Sequence, residues 1–299
     1  MHTREEKITQ TVAHMVMLLL TFAALLPFLL LVIASFTDNA AAISEGYRFF
    51  PSKFSTEAYA YILDEWRMIG RAYGVTVFVT VVGTGVSLLI SSMLAYALAQ
   101  KDLPGKKILT FLVVFTMLFN GGIVSSYFIY SNIFHIKNTI FALILPNLLM
   151  NAFNLILIRN YFTTNIPTAL LEAARIDGAS EFTIFFRVVM PLSLPILATV
   201  GLMTAIAYWN DWTNGLYFLN DKGGSQLYSI QNVLNRMNEN INFLANNSSQ
   251  MGGMVNASKM PSTTIRMAIA VVGILPILAA YPFFQKYFVK GITIGSVKE

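Results

Sequence analysis

Side chains that could perform catalysis or bind a metal are few and scattered in this sequence. It has no cysteine, and its histidines are too far apart for the ligand spacing of a metal site. The histidines are His2, His14 and His135. No Gly-x-x-x-x-Gly-Lys-Ser/Thr loop is present to hold a nucleotide phosphate. Gly83-Thr84-Gly85 begins like a dinucleotide fingerprint, but Leu88 stands where the third glycine belongs, so close helix packing explains it better. We therefore expect no catalytic residue, no metal ligand and no cofactor bound by this chain.

A second group of side chains can form hydrogen bonds but carries no charge. These side chains lie inside long apolar stretches. The members of the group are Asn147, Asn151, Asn154, Tyr208, Trp209 and Asn210. The triplet Asn120-Gly121-Gly122 brings a helix-breaking sequence into another such stretch. Polar groups at membrane depth need partners, which neighbouring helices or a polar cavity can supply. Hydrogen bonding between helices would explain any one of these polar residues equally well. As a set, they favour a path for a neutral polar solute over a path for an ion.

The composition requires that helices in a lipid bilayer position these residues. Hydrophobic residues make up 56% of the 299 and charged residues only 12%, with a mean hydropathy of +0.61. A soluble domain carries about a quarter charged residues. Six stretches lack Asp, Glu, Lys and Arg and are long enough to cross a bilayer as helices. The predicted fold is an all-α polytopic membrane protein, a single domain with spans at about 11–36, 73–99, 108–132, 138–158, 188–212 and 266–288.

The charges also predict how the chain is oriented. An even number of spans puts both termini on one side of the membrane. Basic residues are denser on that side, and the short turn from Lys101 to Lys107 carries three of them. We predict that the termini and this turn face the cytoplasm. The net charge of +5 then reflects loop placement, and we expect no nucleic-acid partner.

Two long connections are predicted on the outer side, at 38–71 and 220–264. In the second, apolar residues recur at intervals of three and four from Leu227 to Leu244, with asparagines between them. This pattern predicts an amphipathic helix whose polar face is largely uncharged.

The connection predicted on the inner side is 159–187, and the loop segment 165–191 has the signals of a helix, a turn and a second helix. Pro167 suits a first helical position, and Gly178 suits the left-handed residue that ends a helix. Ser180 can cap the next helix, which Pro191 and Pro195 then interrupt. A small, charged helix of this kind on the cytoplasmic face is suited to dock into a groove on another protein.

Within this loop, Glu172-Ala173-Ala174, three residues, Gly178, nine residues and Val188-Val189-Met190-Pro191 form a pattern of known spacing. It resembles the EAA loop of binding-protein-dependent ABC importer permeases, with valine and methionine in place of isoleucine and leucine. Asp177-Gly178-Ala179 is similar to the form found in carbohydrate importers of the maltose type. The ending Tyr281-Pro282-Phe283-Phe284 resembles the branch that transports oligosaccharides.

The resemblance implies a function and a set of partners. A bacterial inner-membrane permease of this family pairs with a second permease subunit and imports a sugar or oligosaccharide by alternating access. A cytoplasmic ATPase dimer would bind the ATP and Mg, and an external solute-binding protein would deliver the carbohydrate. The residues that would contact the ATPase are Glu172, Ala173, Ala174, Arg175, Asp177 and Gly178.

Two other classes of protein remain as alternatives at this stage. A secondary carrier driven by an ion gradient would normally have ionisable residues at mid-membrane, and the predicted spans have no Asp, Glu, Lys or Arg at that depth. A membrane-embedded enzyme would need a paired acid, base or nucleophile inside the spans, and none is found there.

Overall fold

The structure is a computed structural model that describes residues 4–247 and 262–295. Within these ranges the regular elements are helices and no strand occurs, so the all-α prediction is confirmed. The α-helices are α1 (Arg4–Ser35), α2 (Asn39–Glu45), α3 (Glu57–Asp64), α4 (Trp66–Ala99), α5 (Lys106–Leu118), α6 (Gly122–Phe128), α7 (Phe141–Ile144), α8 (Ala152–Asn165), α9 (Thr168–Ile176), α10 (Glu181–Ile184), α11 (Met190–Leu192), α12 (Leu194–Trp209), α13 (Thr213–Phe218), α14 (Ile230–Asn247) and α15 (Ser262–Gly295). Two π-helical turns, Ile129–Ile133 and Phe185–Val189, and a 3-10 turn, Ser225–Leu227, complete the helical segments of the described residues.

The chain divides into two compact units. One unit is formed by Met1–Ile69 with Leu234–Pro276, and the other by Gly70–Val233 with Ile277–Glu299. In the first, Asp38 caps the start of α2 and Lys53 lies 3.1 Å from its carboxylate. The second unit holds the polar candidates and the 165–191 loop, so it contains the candidate site.

Three helices among the described residues are long and apolar enough to cross a bilayer. They are Lys7–Ser35 within α1, the whole of α4, and Thr263–Ala280 within α15. The count rises to five if each of two bent helix pairs forms one span, Lys106–Leu118 with Gly122–Ile133 and Glu181–Leu192 with Leu194–Trp209. The bends are 115° and 81°.

The interval 138–158 is charge-free as predicted, but it contains no long helix. It holds α7, a non-helical segment and the start of α8. Asn147 has a φ of 61°, and Asn151 adopts extended backbone angles and caps α8 with its side chain. Pro146 and the two asparagines end one helix and begin another, so the lack of charge in this interval does not mean one continuous helix.

The long outer segment predicted at 220–264 is described as far as residue 247. Its predicted amphipathic helix is present as α14, which begins three residues later than the first residue of the pattern. Ile230, Leu234 and Met237 of the predicted pattern are buried, whereas Glu239 and Asn240 are exposed. The spacing of the apolar residues therefore identified the face that packs. Residues 248–261 of the predicted segment lie outside the described residues.

Candidate functional site

The 165–191 loop has the predicted order of helix, turn and helix. Pro167 lies just before Thr168, the first residue of α9, so it is one position earlier than predicted, and its side chain makes no capping hydrogen bond. Gly178 has a φ of +82°, the left-handed region that L-residues rarely adopt, and no atom would crowd a Cβ there. The amide of Ala179 donates to the carbonyl of Ala174 at 3.0 Å, which closes the end of α9. The turn at Gly178 is thus a local consequence of the sequence.

The second helix of the loop begins at the predicted cap. The Oγ of Ser180 accepts a hydrogen bond from the amide of Thr183 at 3.3 Å. The helix then runs from α10 through the π-helical turn into α11 and ends at Ser193, between Pro191 and Pro195. Proline cannot donate a backbone hydrogen bond, so α12 starts in a new direction, 81° from this arm.

A buried apolar cluster holds the loop against the helices of its own unit. Ile184, Phe185 and Val189 of the loop are almost fully buried. They belong to one cluster with residues of α4, α8 and α12, including Leu155 and Ile158. Burial of each large apolar side chain stabilises the fold by about 1.5–3 kcal/mol, so this arm is firmly packed on the bundle.

The two faces of α9 differ in exposure. Leu171 and Ala174 pack against the same apolar cluster. Glu172 and Ala173 are exposed, and Ile176 is 86% exposed although it is a large apolar residue. An isolated exposed isoleucine is unremarkable, but here it shares one face with a small residue and an acidic one. This face of α9 is free to contact another protein.

Arg175 links the two helices of the loop to the end of α4. Its Nε donates to Oε1 of Glu181 at 2.7 Å, and its Nη2 donates to Oε1 of Gln100 at 2.9 Å. The hydroxyl of Tyr96 donates to the other carboxylate oxygen of Glu181 at 2.6 Å. We call these four residues the α9 clamp. Charge-assisted hydrogen bonds of this length are about twice as strong as neutral ones, so the clamp favours one orientation of the loop against α4.

The clamp also determines the charge of Glu181, which lies in the loop outside the predicted spans. The Arg175 guanidinium, followed by the Tyr96 hydroxyl, lowers the pKa of this carboxyl below its ordinary value. Glu181 is therefore ionised at neutral pH.

Next to the clamp is an open cleft of about 180 Å³ lined by residues of α4, α8, α9 and the turn after α4.

Sequence reasoning included Arg175 among the docking residues but missed its partners. Tyr96 and Gln100 are four residues apart at the end of α4, so they lie on one side of the chain. This polar pair at the end of an apolar span was the available signal. Nothing in the sequence related it to Glu181, which is 85 residues from Tyr96.

Both aromatic solute-path candidates are packed inside the protein. Tyr208 is 2% exposed, and its hydroxyl donates to the carbonyl of Ile144 at 2.8 Å. A Cβ on Gly83 would lie 2.5 Å from the Tyr208 ring. Trp209 is also buried, and its ring is 6.3 Å from that of Tyr73. Gly83 thus serves close helix packing, as predicted for this segment, whereas a Cβ on Gly85 would meet nothing within 4 Å.

The asparagine candidates fall into two groups. Asn151 accepts from the amide of Asn154 at 3.1 Å, and Asn154 donates to Thr204 at 3.3 Å, which ties α8 to α12. Asn147 and Asn210 are exposed, as is Asn151, whereas Asn154 is half-buried. A contact between any of these residues and a solute stays a prediction.

Comparison with known proteins agrees with this architecture. Residues 7–294 match the family described as the binding-protein-dependent transport system inner membrane component. The chain is 41% identical to the polygalacturonan/rhamnogalacturonan transport system permease protein YtcP of Bacillus subtilis (strain 168), over 94% of this chain and 95% of that protein. It is 29% identical to the arabinooligosaccharides transport system permease protein AraQ of Halalkalibacterium halodurans, over 93% of each.

A solved structure supports the same assignment. The crystal structure of a bacterial ABC transporter involved in the import of the acidic polysaccharide alginate matches with a TM-score of 0.78 and 31% identity, over 96% of this chain and 99% of that one. The long family match, together with relatives that span almost the whole chain, decides between the classes considered from sequence. The chain belongs to the inner-membrane permease family of binding-protein-dependent ABC importers.

Proposed function

We propose that this chain is one of two permease subunits of an ATP-driven importer for an oligosaccharide. Its face of α9 bearing Glu172, Ala173 and Ile176 is the surface that a cytoplasmic ATPase subunit receives. An external solute-binding protein delivers the sugar. ATP and Mg are held by the ATPase dimer.

The exposed face of α9 is the observation that carries this proposal. It combines small, acidic and apolar side chains on one helix, while the opposite face is packed and Arg175 is clamped. A helix that transmits movement needs one face open to the partner and the other attached to its own bundle, because a loosely attached helix would move without the bundle. The apolar Ile176 suits a protein groove better than water.

The membrane topology follows from the same proposal. The chain crosses the membrane six times, with the fourth crossing broken near Pro146 and Asn147, and both termini are cytoplasmic. The charge pattern supports this orientation, because Lys101, Lys106 and Lys107 flank the end of α4 and the start of α5. The 165–191 loop then lies on the cytoplasmic side together with this turn.

The substrate class rests on the relatives. Their names refer to transport of polygalacturonan/rhamnogalacturonan, of arabinooligosaccharides and of alginate. These compounds are all carbohydrates of more than one unit, so we propose an oligosaccharide as the substrate. Fragments of uronic acid polysaccharides are the first to test.

The mechanism is alternating access with no covalent chemistry on this chain. ATP binding would close the ATPase dimer and carry α9 with it. The arm from α10 to α11 would then turn α12, because the apolar cluster and the α9 clamp prevent independent movement. Nucleotide shifts the equilibrium between the two states by binding one of them more tightly than the other.

Charge reversal at Glu172 tests the docking proposal. In Glu172→Lys, we expect the ATPase to dissociate from the purified transporter at least about tenfold more readily, since losing a buried interface charge costs about 2 kcal/mol or more. ATP-dependent uptake of sugar should be lost with it. The binding protein's own affinity for sugar should not change.

Glu239→Lys is the matched control, because Glu239 is an exposed glutamate on α14, outside the loop. It should retain the ATPase. Normal ATPase association and uptake in Glu172→Lys would overturn the assignment of this face.

A further inference from the structure

The bent helix pair α5–α6 contains a polar break at 120–122 that no helix in the described part of this unit covers. Phe119 leaves the helical conformation, with φ −120° and ψ 110°, and Gly122 has a φ of +78°. The following helical segment is turned by 115°. Asn120, Gly121 and Gly122 are all exposed.

Backbone polar groups meet at this break. A helix leaves about four carbonyl groups at its end and four N–H groups at its start without intrahelical partners. The end of α5 and the start of α6 are separated by only three residues. The Oδ1 of Asn120 satisfies one donor, the amide of Gly122, at 2.8 Å. The amide NH₂ is then the part of the Asn120 side chain that can donate to a solute.

The break lies at membrane depth under the proposed orientation. The 13 residues of α5 extend about 20 Å, at 1.5 Å per residue, from the turn that contains Lys106. The hydrocarbon core of a bilayer is about 30 Å thick. Residues 108–136 carry no charge, and Phe111, Leu112 and Leu118 of α5 are exposed apolar residues that suit lipid. The break therefore lies inside the core.

Irregular backbone does not face lipid at this depth, because its polar groups would lack hydrogen bonds at a cost of several kcal/mol each. It is tolerated where it is buried in protein or lines water. The exposed polar side chains favour water, since Asn120 and Ser125 can hydrogen-bond to it and a Cβ on Gly122 would meet nothing within 4 Å.

We propose that the break at 120–122, with Ser125 one turn later, lines the solute path and binds hydroxyl groups of the transported sugar. Its donors and acceptors carry no charge, and they suit a hydroxyl group, which both donates and accepts. This inference rests on the proposed function, because it takes the solute and the orientation from it.

The absence of cysteine makes this proposal directly testable. In Gly121→Cys the new Cβ would meet only Ser125, at 3.5 Å, which is an ordinary contact. The reconstituted transporter, with its ATPase and binding protein, is treated with a charged, membrane-impermeant methanethiosulfonate reagent. The control is Leu112→Cys on the exposed apolar part of α5. Ser125→Cys, which changes one oxygen to sulfur, is the second reporter in case Gly121→Cys does not assemble.

We expect both reporters to react at least about tenfold faster than Leu112→Cys, because the thiolate is the reactive form and lipid surroundings suppress it. The rate should also differ between the nucleotide-free and the ATP–vanadate-trapped transporter. Reaction as slow as the control in both states, or fast reaction that is equal in both, would overturn the proposal.

The proposed function has a separate readout in the same preparation. Co-purification of the ATPase reports on docking, whatever the thiols do. Slow labelling with the ATPase present counts against the polar break alone, whereas an absent ATPase counts against the proposed function.

Discussion

At the scale of single residues, Arg175 has a role that differs from that of its neighbours in the sequence motif. Glu172 and Ala173 point outward, while Arg175 bonds Glu181 and Gln100 of its own chain. Arginine provides several donors in a rigid fork, which suits a junction among three segments. Under the proposed function, the motif thus combines residues for an external partner with a residue that fixes the helix carrying them.

Loss of the clamp should reduce coupling more than stability. In Arg175→Ala we expect uptake per ATP hydrolysed to fall about two- to fivefold, since a partly exposed ion pair contributes up to ~1 kcal/mol. The ATPase should still co-purify. Arg187→Ala is the control, because Arg187 is an exposed arginine of the same loop. Equal coupling in the two variants would contradict the role of the clamp.

Two glycines of α4 differ in what surrounds them. A Cβ on Gly83 would meet the buried ring of Tyr208, whereas a Cβ on Gly85 would meet nothing within 4 Å. We expect Gly83→Ala to destabilise the protein by about 1–3 kcal/mol through overpacking. Gly85→Ala should be neutral or stabilising by up to about 1 kcal/mol, since alanine favours the helix. Thermal unfolding in detergent measures both, and equal midpoints would contradict the packing described for α4 and α12.

At the scale of elements, signals from a few neighbouring residues predicted helix ends correctly, whereas the lack of charge did not predict a continuous helix. The turn at Gly178 and the cap at Ser180 depend on residues within a few positions, and both are present. The interval 138–158 was predicted from the lack of charge, which indicates lipid solubility but not helix continuity. Pro146 and Asn147 interrupt it. The α9 clamp could not be predicted, because it joins residues that only the folded chain brings together.

The start of α14 shows how an uncharged polar face can be structural. The Nδ2 of Asn232 donates to the carbonyl of Trp212 at 2.6 Å, and its Oδ1 accepts from Ser229 at 2.7 Å. Asn232 is 4% exposed. The asparagines predicted along this helix therefore include one that ties it to the segment after α12.

Removing the hydrogen bonds of Asn232 should lower the stability of the protein. Asn232→Ala removes one partner each from the buried Ser229 hydroxyl and from the partly buried Trp212 carbonyl, so we expect a loss of about 1–3 kcal/mol. Asn240→Ala, at an exposed position of the same helix, should change stability by less than about 0.5 kcal/mol. Unfolding of the two variants by heat gives the comparison, and similar losses would show that the Asn232 contacts contribute little.

At the scale of the whole molecule, the proposed function makes the chain a transmitter between a nucleotide-driven partner and a solute path. The loop that carries α9 is packed on α4, α8 and α12 through one apolar cluster. The two bent helix pairs supply changes of direction within the same unit. Family membership provides the partners in general, and the exposed face of α9 provides the surface through which one of them is expected to act.

Crosslinking from α9 tests this account most directly. Ala173 and Ala60 are both exposed alanines in helices, so a cysteine at either position is a matched probe in a chain that has no other. In the assembled transporter we expect Ala173→Cys to crosslink to the ATPase subunit and to resist reagents added outside. Ala60→Cys should react from outside and not crosslink to the ATPase. Labelling of position 173 from outside, or its failure to crosslink while position 60 does so, would contradict the account.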